Sequence, residues 1–180
     1  MVPRTIAVED TPVSDRSSPI SDLIRGGILS KIRCSDCDFE RRNVDPSFSF
    51  ELEIPSSGSG RLSLNALLDN YITAETPEGF VCGKDYGPDD GCSMEGTTEK
   101  ALKIRPGQLV IFSLKIFTVD ANGVPQKIKT RVEFPLTDLN LGQYSDEEDT
   151  DQIYDLVGVI NHTGESALAG HYFSFVLNDN

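Results

Sequence analysis

Four cysteines constrain the fold of this 180-residue chain more than any other feature. Cys34 and Cys37 form a Cys-x-x-Cys pair, while Cys82 and Cys92 lie farther apart in a stretch rich in glycine, proline and aspartate. Four thiolates complete a tetrahedral structural zinc site, and a Cys-x-x-Cys pair has the spacing of a zinc knuckle. The pattern predicts that these four cysteines bind zinc and hold a loop-rich region together.

Two other interpretations of the cysteines are open at this point. The wide spacing of Cys82 and Cys92 also suits four ordinary thiols in a site that has lost its metal. Cys34 and Cys37 could instead form a thioredoxin-like redox pair, but that chemistry requires a βαβ context, which this sequence does not show.

The charge of the chain excludes two classes of partner. Twenty-nine acidic and 16 basic residues give a formal net charge of −13. Such a field repels phosphate backbones and anionic lipid, and it favours partners with a basic face. The amino terminus lacks the apolar core of a signal peptide, and no apolar run approaches the roughly 20 residues that span a bilayer. We expect no nucleic-acid or membrane partner, and a cytoplasmic or nuclear location.

Residue spacing predicts an α+β fold, in which an antiparallel sheet is accompanied by two short helices. Residues 1–17 are polar and aperiodic, so we expect a disordered lead or the remnant of a longer chain. One helix is expected after Ser18, and the other after Ser63, because each serine can cap apolar residues at helical spacing.

Apolar residues that alternate with polar ones, or that form short continuous runs, predict the strands. Asn122-Gly123 predicts a hairpin loop. The polar stretch 162–169 predicts a loop between the last two strands. The predicted strands cover residues 48–54, 109–112, 128–134, 154–160 and 171–177.

The two histidines of the chain, His162 and His171, both lie near its carboxyl terminus. His171 opens a predicted strand behind Gly170, where an imidazole can meet a nucleophile at a sheet edge. A histidine without further context is more often structural, because many settings satisfy its hydrogen bonds. The residues around each histidine are therefore needed to distinguish a catalytic role from a structural one.

Two segments around these histidines, 154–164 and 169–176, closely resemble the histidine box of the ubiquitin-specific proteases. In that family the histidine box consists of a strand that begins with tyrosine, an Asn-His-Ser-Gly turn, and a Gly-Gly-His-Tyr sequence at the start of the next strand. Residues 19–26 with the cysteine knuckle, 63–69, 109–117 and 132–136 resemble the family's finger entry, helix and palm strands in the same order. The resemblance covers roughly residues 19–177.

The resemblance implies that residues 18–180 form a partial ubiquitin-specific protease domain of papain-like cysteine protease fold. It places zinc-ribbon-like fingers at about 28–104, and palm strands with the histidine box at about 105–177. His171 would be the general base, and His162 would have a structural role in the turn. Ubiquitin and ubiquitinated proteins are the implied partners.

The nucleophile of that family lies in an Asn-x-x-Cys segment, which has no counterpart in this sequence. We therefore expect the carboxyl-terminal half of the domain, inactive by itself, with a missing amino-terminal half as a further partner. Three functions are compatible with the sequence. The chain is a fragment of an active deubiquitinase, a non-catalytic ubiquitin-binding module, or an unrelated zinc-ribbon adaptor.

Overall fold

The computed structural model describes residues 5–7, 18–37, 39–55, 61–83, 91–146, 151–166 and 169–178. Contacts divide the chain into two compact units. The first contains residues 1–50, 72–111 and 144–148, and the second contains residues 51–71, 112–143 and 149–180. No helix in the described ranges is long and apolar enough to cross a membrane.

Mostly antiparallel strands and few helices confirm the predicted α+β class. In chain order the elements are β1 (Thr5–Ala7), α1 (Pro19–Ile24), β2 (Gly26–Cys34), β3 (Glu40–Ser47), β4 (Phe50–Glu53), β5 (Leu62–Ser63), α2 (Leu64–Ile72), β6 (Thr98–Arg105), β7 (Phe112–Lys115), β8 (Phe117–Val119), β9 (Pro125–Lys127), β10 (Val132–Glu133), β11 (Leu139–Asn140), a 3-10 helix (Gly142–Tyr144), β12 (Ile153–Tyr154), β13 (Gly158–Ser166) and β14 (Ala169–Val176).

The first unit is built on a four-stranded sheet in the order β1-β3-β2-β6. Strand β2 pairs in antiparallel fashion with both β3 and β6, so that Ile28 lies opposite Asp45 on one side and Ile104 on the other. Strand β1 pairs in parallel with the start of β3. Of the stretch 1–17, the structure describes only this strand, and the remainder lies outside the described residues.

Helix α1 begins as predicted, at a capping box. The Ser18 hydroxyl accepts a hydrogen bond from the backbone N–H of Ser21 at 3.1 Å, and the Ser21 hydroxyl accepts one from the N–H of Ser18 at 2.7 Å. Pro19 occupies the first helical position, where its missing N–H has no intrahelical partner to lose. The helix then ends directly before β2.

The second unit contains five two-stranded sheets among its described residues: β4-β7, β5-β10, β8-β9, β11-β12 and β13-β14. Its helix α2 begins where Ser63 predicts, because the Ser63 hydroxyl accepts a hydrogen bond from the N–H of Ala66 at 3.1 Å. Leu64, Leu67 and Leu68 form its buried stripe, as their helical spacing predicts.

The predicted strands 109–112 and 128–134 are both wrong in extent. Strand β7 starts only at Phe112, and the backbone between β9 and β10 is not a continuous strand. Backbone hydrogen bonds explain why residues 128–134 do not form one strand. The N–H of Ile128 donates to the carbonyl of Ile116, whereas the carbonyl of Arg131 accepts from the N–H of Leu62. The chain changes sheets between those two residues, which apolar alternation alone cannot reveal.

Asn122-Gly123 lies in a hairpin loop as predicted, but the predicted pairing of strands 109–112 and 128–134 is wrong, because the loop joins two other strands, β8 and β9. Gly123 has a φ of +79°, a value that glycine adopts without strain. The predicted loop 162–169 is wrong, because β13 continues to Ser166 and β14 starts at Ala169. Cross-strand pairing persists through polar residues there, with an irregularity between Thr163 and Ser166.

Candidate metal centre and histidine site

The four cysteine sulfurs converge in the first unit, with all four Sγ atoms within 4.8 Å of one another. Cys34 Sγ lies 3.7 Å from Cys92 Sγ, and Cys37 Sγ lies 3.6 Å from Cys82 Sγ. A tetrahedral zinc ion with Zn–S bonds of about 2.3 Å requires sulfurs about 3.8 Å apart. The donor set therefore fits a tetrahedral metal ion, as the cysteine pattern predicts.

Local backbone hydrogen bonds bring the two cysteine pairs together. Cys34 ends β2, and its N–H donates to the carbonyl of Phe39 at 3.0 Å, which closes the turn that carries Cys37. In the second pair, Cys82 donates to the Met94 carbonyl at 3.0 Å and accepts from Ser93 at 3.1 Å. Cys34 and Cys37 therefore sit on one turn, whereas the segments that carry Cys82 and Cys92 meet through antiparallel backbone hydrogen bonds.

Gly91 permits the close approach of the second pair. A Cβ atom at this position would lie 2.7 Å from Cys82 Sγ, and the residue has a φ of +81°. Both conditions favour glycine, since any side chain would collide with a candidate ligand and strain the backbone. The glycine-rich composition around Cys92 thus has a direct role in forming the cluster.

Hydrogen bonding distinguishes Cys34 from the other thiols. Burial opposes its ionisation, but the Thr97 hydroxyl at 3.3 Å and the backbone N–H of Asp36 at 3.4 Å favour the thiolate, and the pKa falls from 9.0 to about 6. Burial raises the pKa of Cys82 to about 12, and neighbouring thiols contribute to the rise. Burial also raises the pKa of Cys37. Four thiolates at this spacing therefore require a cation that offsets their mutual repulsion.

His171 lies in the second unit, whereas the cysteine cluster lies in the first. It is the third residue of β14 and pairs with Thr163 of β13. The Thr163 hydroxyl donates to the carbonyl oxygen of His171 at 3.2 Å. His171 is exposed, and strand alternation places it on the same face as Phe173 and Phe175. An exposed imidazole at the start of a paired strand is available to exchange a proton with a substrate or a thiol.

His162 has a different environment from His171. Its ring lies between Phe117 and Tyr172, with centroid distances of 5.6 and 4.8 Å. Lys127 Nζ lies 3.2 Å from its Nδ1 and 2.8 Å from its carbonyl oxygen. The structure thus places His162 among packed partners. Lys127 was not singled out from the sequence, since a lysine on an alternating stretch carries no signal of such contacts.

The hydrolase family model "Ubiquitin carboxyl-terminal hydrolase" matches residues 6–180 of this chain. The chain is 29% identical over 159 residues to ubiquitin carboxyl-terminal hydrolase 2 of Gallus gallus, which covers 88% of this chain and 43% of the relative. It is 31% identical over 163 residues to ubiquitin carboxyl-terminal hydrolase Usp2 of Drosophila melanogaster, covering 87% and 16%. The chain thus spans less than half the length of these relatives.

Solved structures give the same result for the fold. A SAGA DUB module that contains Ubp8, bound to monoubiquitin, includes a chain that superposes with a TM-score of 0.76 at 26% identity, covering 92% of this chain and 36% of that one. This similarity confirms the predicted ubiquitin-specific protease fold. Together with the family match across the described residues, it supports one conclusion: this chain belongs to the ubiquitin carboxyl-terminal hydrolase family.

Proposed function

We propose that this chain supplies the zinc-binding fingers and the general base of a ubiquitin-specific protease domain. The observation that carries the proposal is the placement of His171 on an exposed, paired strand within a box that matches the family. In a thiol protease the histidine takes the proton of the nucleophilic thiol and later protonates the leaving amine. Family membership removes the unrelated zinc-ribbon adaptor as an alternative.

A metal ion at the cysteine cluster would have a structural role. All four ligands are thiols, and a closed four-thiolate site leaves no position open for substrate or water. We infer that zinc is the ion, because tetrahedral sulfur ligands suit zinc. The free thiols also suit a reducing compartment, in agreement with the expected cytoplasmic or nuclear location.

Hydrolysis would require a thiol from outside these 180 residues. The sequence has four cysteines, all of them belong to the cluster, and a metal-bound thiolate is a poor nucleophile toward an amide. The chain alone is then expected to bind ubiquitin without cleaving its conjugates. Ubiquitin's arginine-bearing tail suits a chain with a net charge of −13.

A ubiquitin probe with a thiol-reactive group at its carboxyl terminus tests the proposal. The chain alone should give no adduct. Adding the cysteine-bearing half of a related family member should give an adduct on that half, and His171→Ala should abolish it while binding of ubiquitin persists. An adduct on Cys34, Cys37, Cys82 or Cys92 that disappears in His171→Ala would contradict the assignment of these residues to a metal site.

The second candidate is a non-catalytic ubiquitin-binding module. All four cysteines of the sequence belong to the cluster, which favours this module, since binding needs no nucleophile. Titration of isotope-labelled ubiquitin with the chain should perturb its resonances, and the affinity should fall as salt rises. Binding without complementation by any cysteine-bearing half would support this module, and the absence of binding would refute both candidates.

A further inference from the structure

Lys127 makes an unusual set of contacts with the β13–β14 hairpin. Its ammonium donates to the carbonyl oxygens of His162 and Gly164, each at 2.8 Å, and it lies 3.2 Å from Nδ1 of His162. An ammonium group has three donors and no acceptor, so Nδ1 must accept. The neutral ring then carries its proton on Nε2. One lysine thereby fixes the tautomer of His162 and the backbone on either side of Thr163.

The His162 ring in turn limits what can stand at position 170. A Cβ atom added to Gly170 would overlap with Nε2 of that ring and with the carbonyl oxygen of Thr163, and it would lie 2.7 Å from Cε1. The backbone of Gly170 therefore rests directly against the imidazole. The ring also contacts Phe117 and Tyr172, and these contacts restrict its movement.

The next residue in the chain is His171. Its backbone is held from one side by Gly170 and from across the sheet by the hydroxyl of Thr163, at 3.2 Å. The path from Lys127 to His171 thus passes through one ring and one glycine, all in the second unit. A shift of the His162 ring would change the backbone at Gly170 and, with it, the direction of the His171 side chain.

A neighbouring lysine shows what an ordinary surface contact looks like here. Lys129 Nζ pairs with a Glu165 carboxylate oxygen at 2.8 Å, but the side chains are 71% and 79% exposed. Exposed pairs of this kind contribute little to stability. Lys127 differs, because its side chain is partly buried and contacts three acceptors on one hairpin. Lys129 is therefore a matched control.

We propose that Lys127 and His162 are positioning residues, which hold Gly170 and thereby aim the imidazole of His171. The proposal rests on the function proposed for His171 as a general base. Neither residue touches the reacting atoms in this scheme. They act on the position of the base. In enzymes, a small displacement of a catalytic group lowers the reaction rate strongly.

Magnetic resonance of the two imidazoles tests the proposal without any catalytic assay. The chain has two histidines, so labelled imidazole gives two sets of signals, and His171→Gln assigns them. Lys127→Met should shift the Cε1–Hε1 signal of His171. It should also accelerate hydrogen exchange in β14 about tenfold, the effect of losing a charge-assisted hydrogen bond. Lys127→Arg, which keeps charged donors, should show the His171 signal at the position it has in the unmodified chain. Lys129→Met should also leave that signal unchanged.

The proposal is overturned if Lys127→Met moves only the His162 signal, or if Lys129→Met produces the same changes at His171. Should the methionine variant fail to fold, Lys127→Gln takes its place, because it removes the charge and shortens the side chain, and Lys127→Arg stays the control that keeps a charged donor. Failure of complementation by a cysteine-bearing half would refute the catalytic function alone. The response of His171 to Lys127 is measured in either case.

Discussion

Loss of the metal should unfold the region that carries the cysteines. The perturbation is Cys82→Ser, which removes one of four ligands from a fully buried position. Among the described residues the apolar packing there is thin, because the buried cluster consists of Cys34, Phe39 and Cys82, with Ile32, Cys37 and Cys92 packed against it. Burial of one phenylalanine contributes about 2–3 kcal/mol, whereas a structural zinc ion contributes about 10–16 kcal/mol at neutral pH. A zinc ion bound there would therefore dominate the local free energy.

The assay combines metal analysis with thermal unfolding, with and without a chelator. The unmodified chain should retain about one zinc ion per molecule after dialysis. Two variants should lose the zinc ion and melt at a lower temperature: the single variant Cys82→Ser and the double variant that combines Cys34→Ser with Cys37→Ser. Zinc affinity should also fall as the pH is lowered, because protons compete for the thiolates.

Thr97→Val is the matched control, since it keeps all four ligands and a similar volume. It removes the hydroxyl that lies 3.3 Å from Cys34 Sγ. Loss of such an outer contact should weaken zinc binding by about 10- to 100-fold while the stoichiometry stays at one. Zinc content and melting temperature that are unchanged in Cys82→Ser would refute the assignment of this cluster as a structural metal site.

Three further substitutions test the fold. Leu68→Ala should lower the free energy of unfolding by about 2–5 kcal/mol, because Leu68 has no exposed surface. Chemical denaturation measures the loss, and Asn70→Ala on the exposed side of α2 is the control. Ser63→Ala should cost about 1 kcal/mol through loss of the helix cap, whereas Ser63→Asp should restore it in the same measurement. Gly91→Ala should impair zinc retention, because its Cβ would press on Cys82; retention equal to that of the unmodified chain would contradict the role given to Gly91.

Local signals in the sequence located the starts of the two helices and the four cysteines that cluster in the structure. Ser18 and Ser63 mark the helix starts, because a capping hydrogen bond acts within one turn of the chain. The four cysteines could be recognised from their residue type and their number alone. Strand β3 escaped prediction because it is polar and depends on pairing with β2. Its Glu40 illustrates the point: although burial disfavours the charge, contacts with Arg42 and Lys31 lower its pKa. Arg42 lies on the same strand, but Lys31 comes from β2, and periodicity does not encode such a partner on a neighbouring strand.

The histidine site was predictable only in part. The role assigned to His171 came from resemblance, because neither spacing nor composition distinguishes a general base from a structural histidine. Lys127 could not be found at all, since its three acceptors lie on a hairpin far along the chain. The continuation of β13 through the polar stretch to Ser166 was missed for a related reason. Cross-strand hydrogen bonds set its extent, and they do not depend on side-chain polarity.

Strand β14 has consequences for the lifetime of this chain in a cell. Three residues of this strand and the residue that follows it are largely exposed, and alternation distributes them over both faces: Tyr172 (65%), Phe175 (66%), Val176 (72%) and Leu177 (64%). Uncovered apolar strands are what chaperones and degradative proteases recognise in partly folded proteins, and at high concentration they associate with one another. The abundance of the chain in a cell should therefore depend on whether a partner covers this strand.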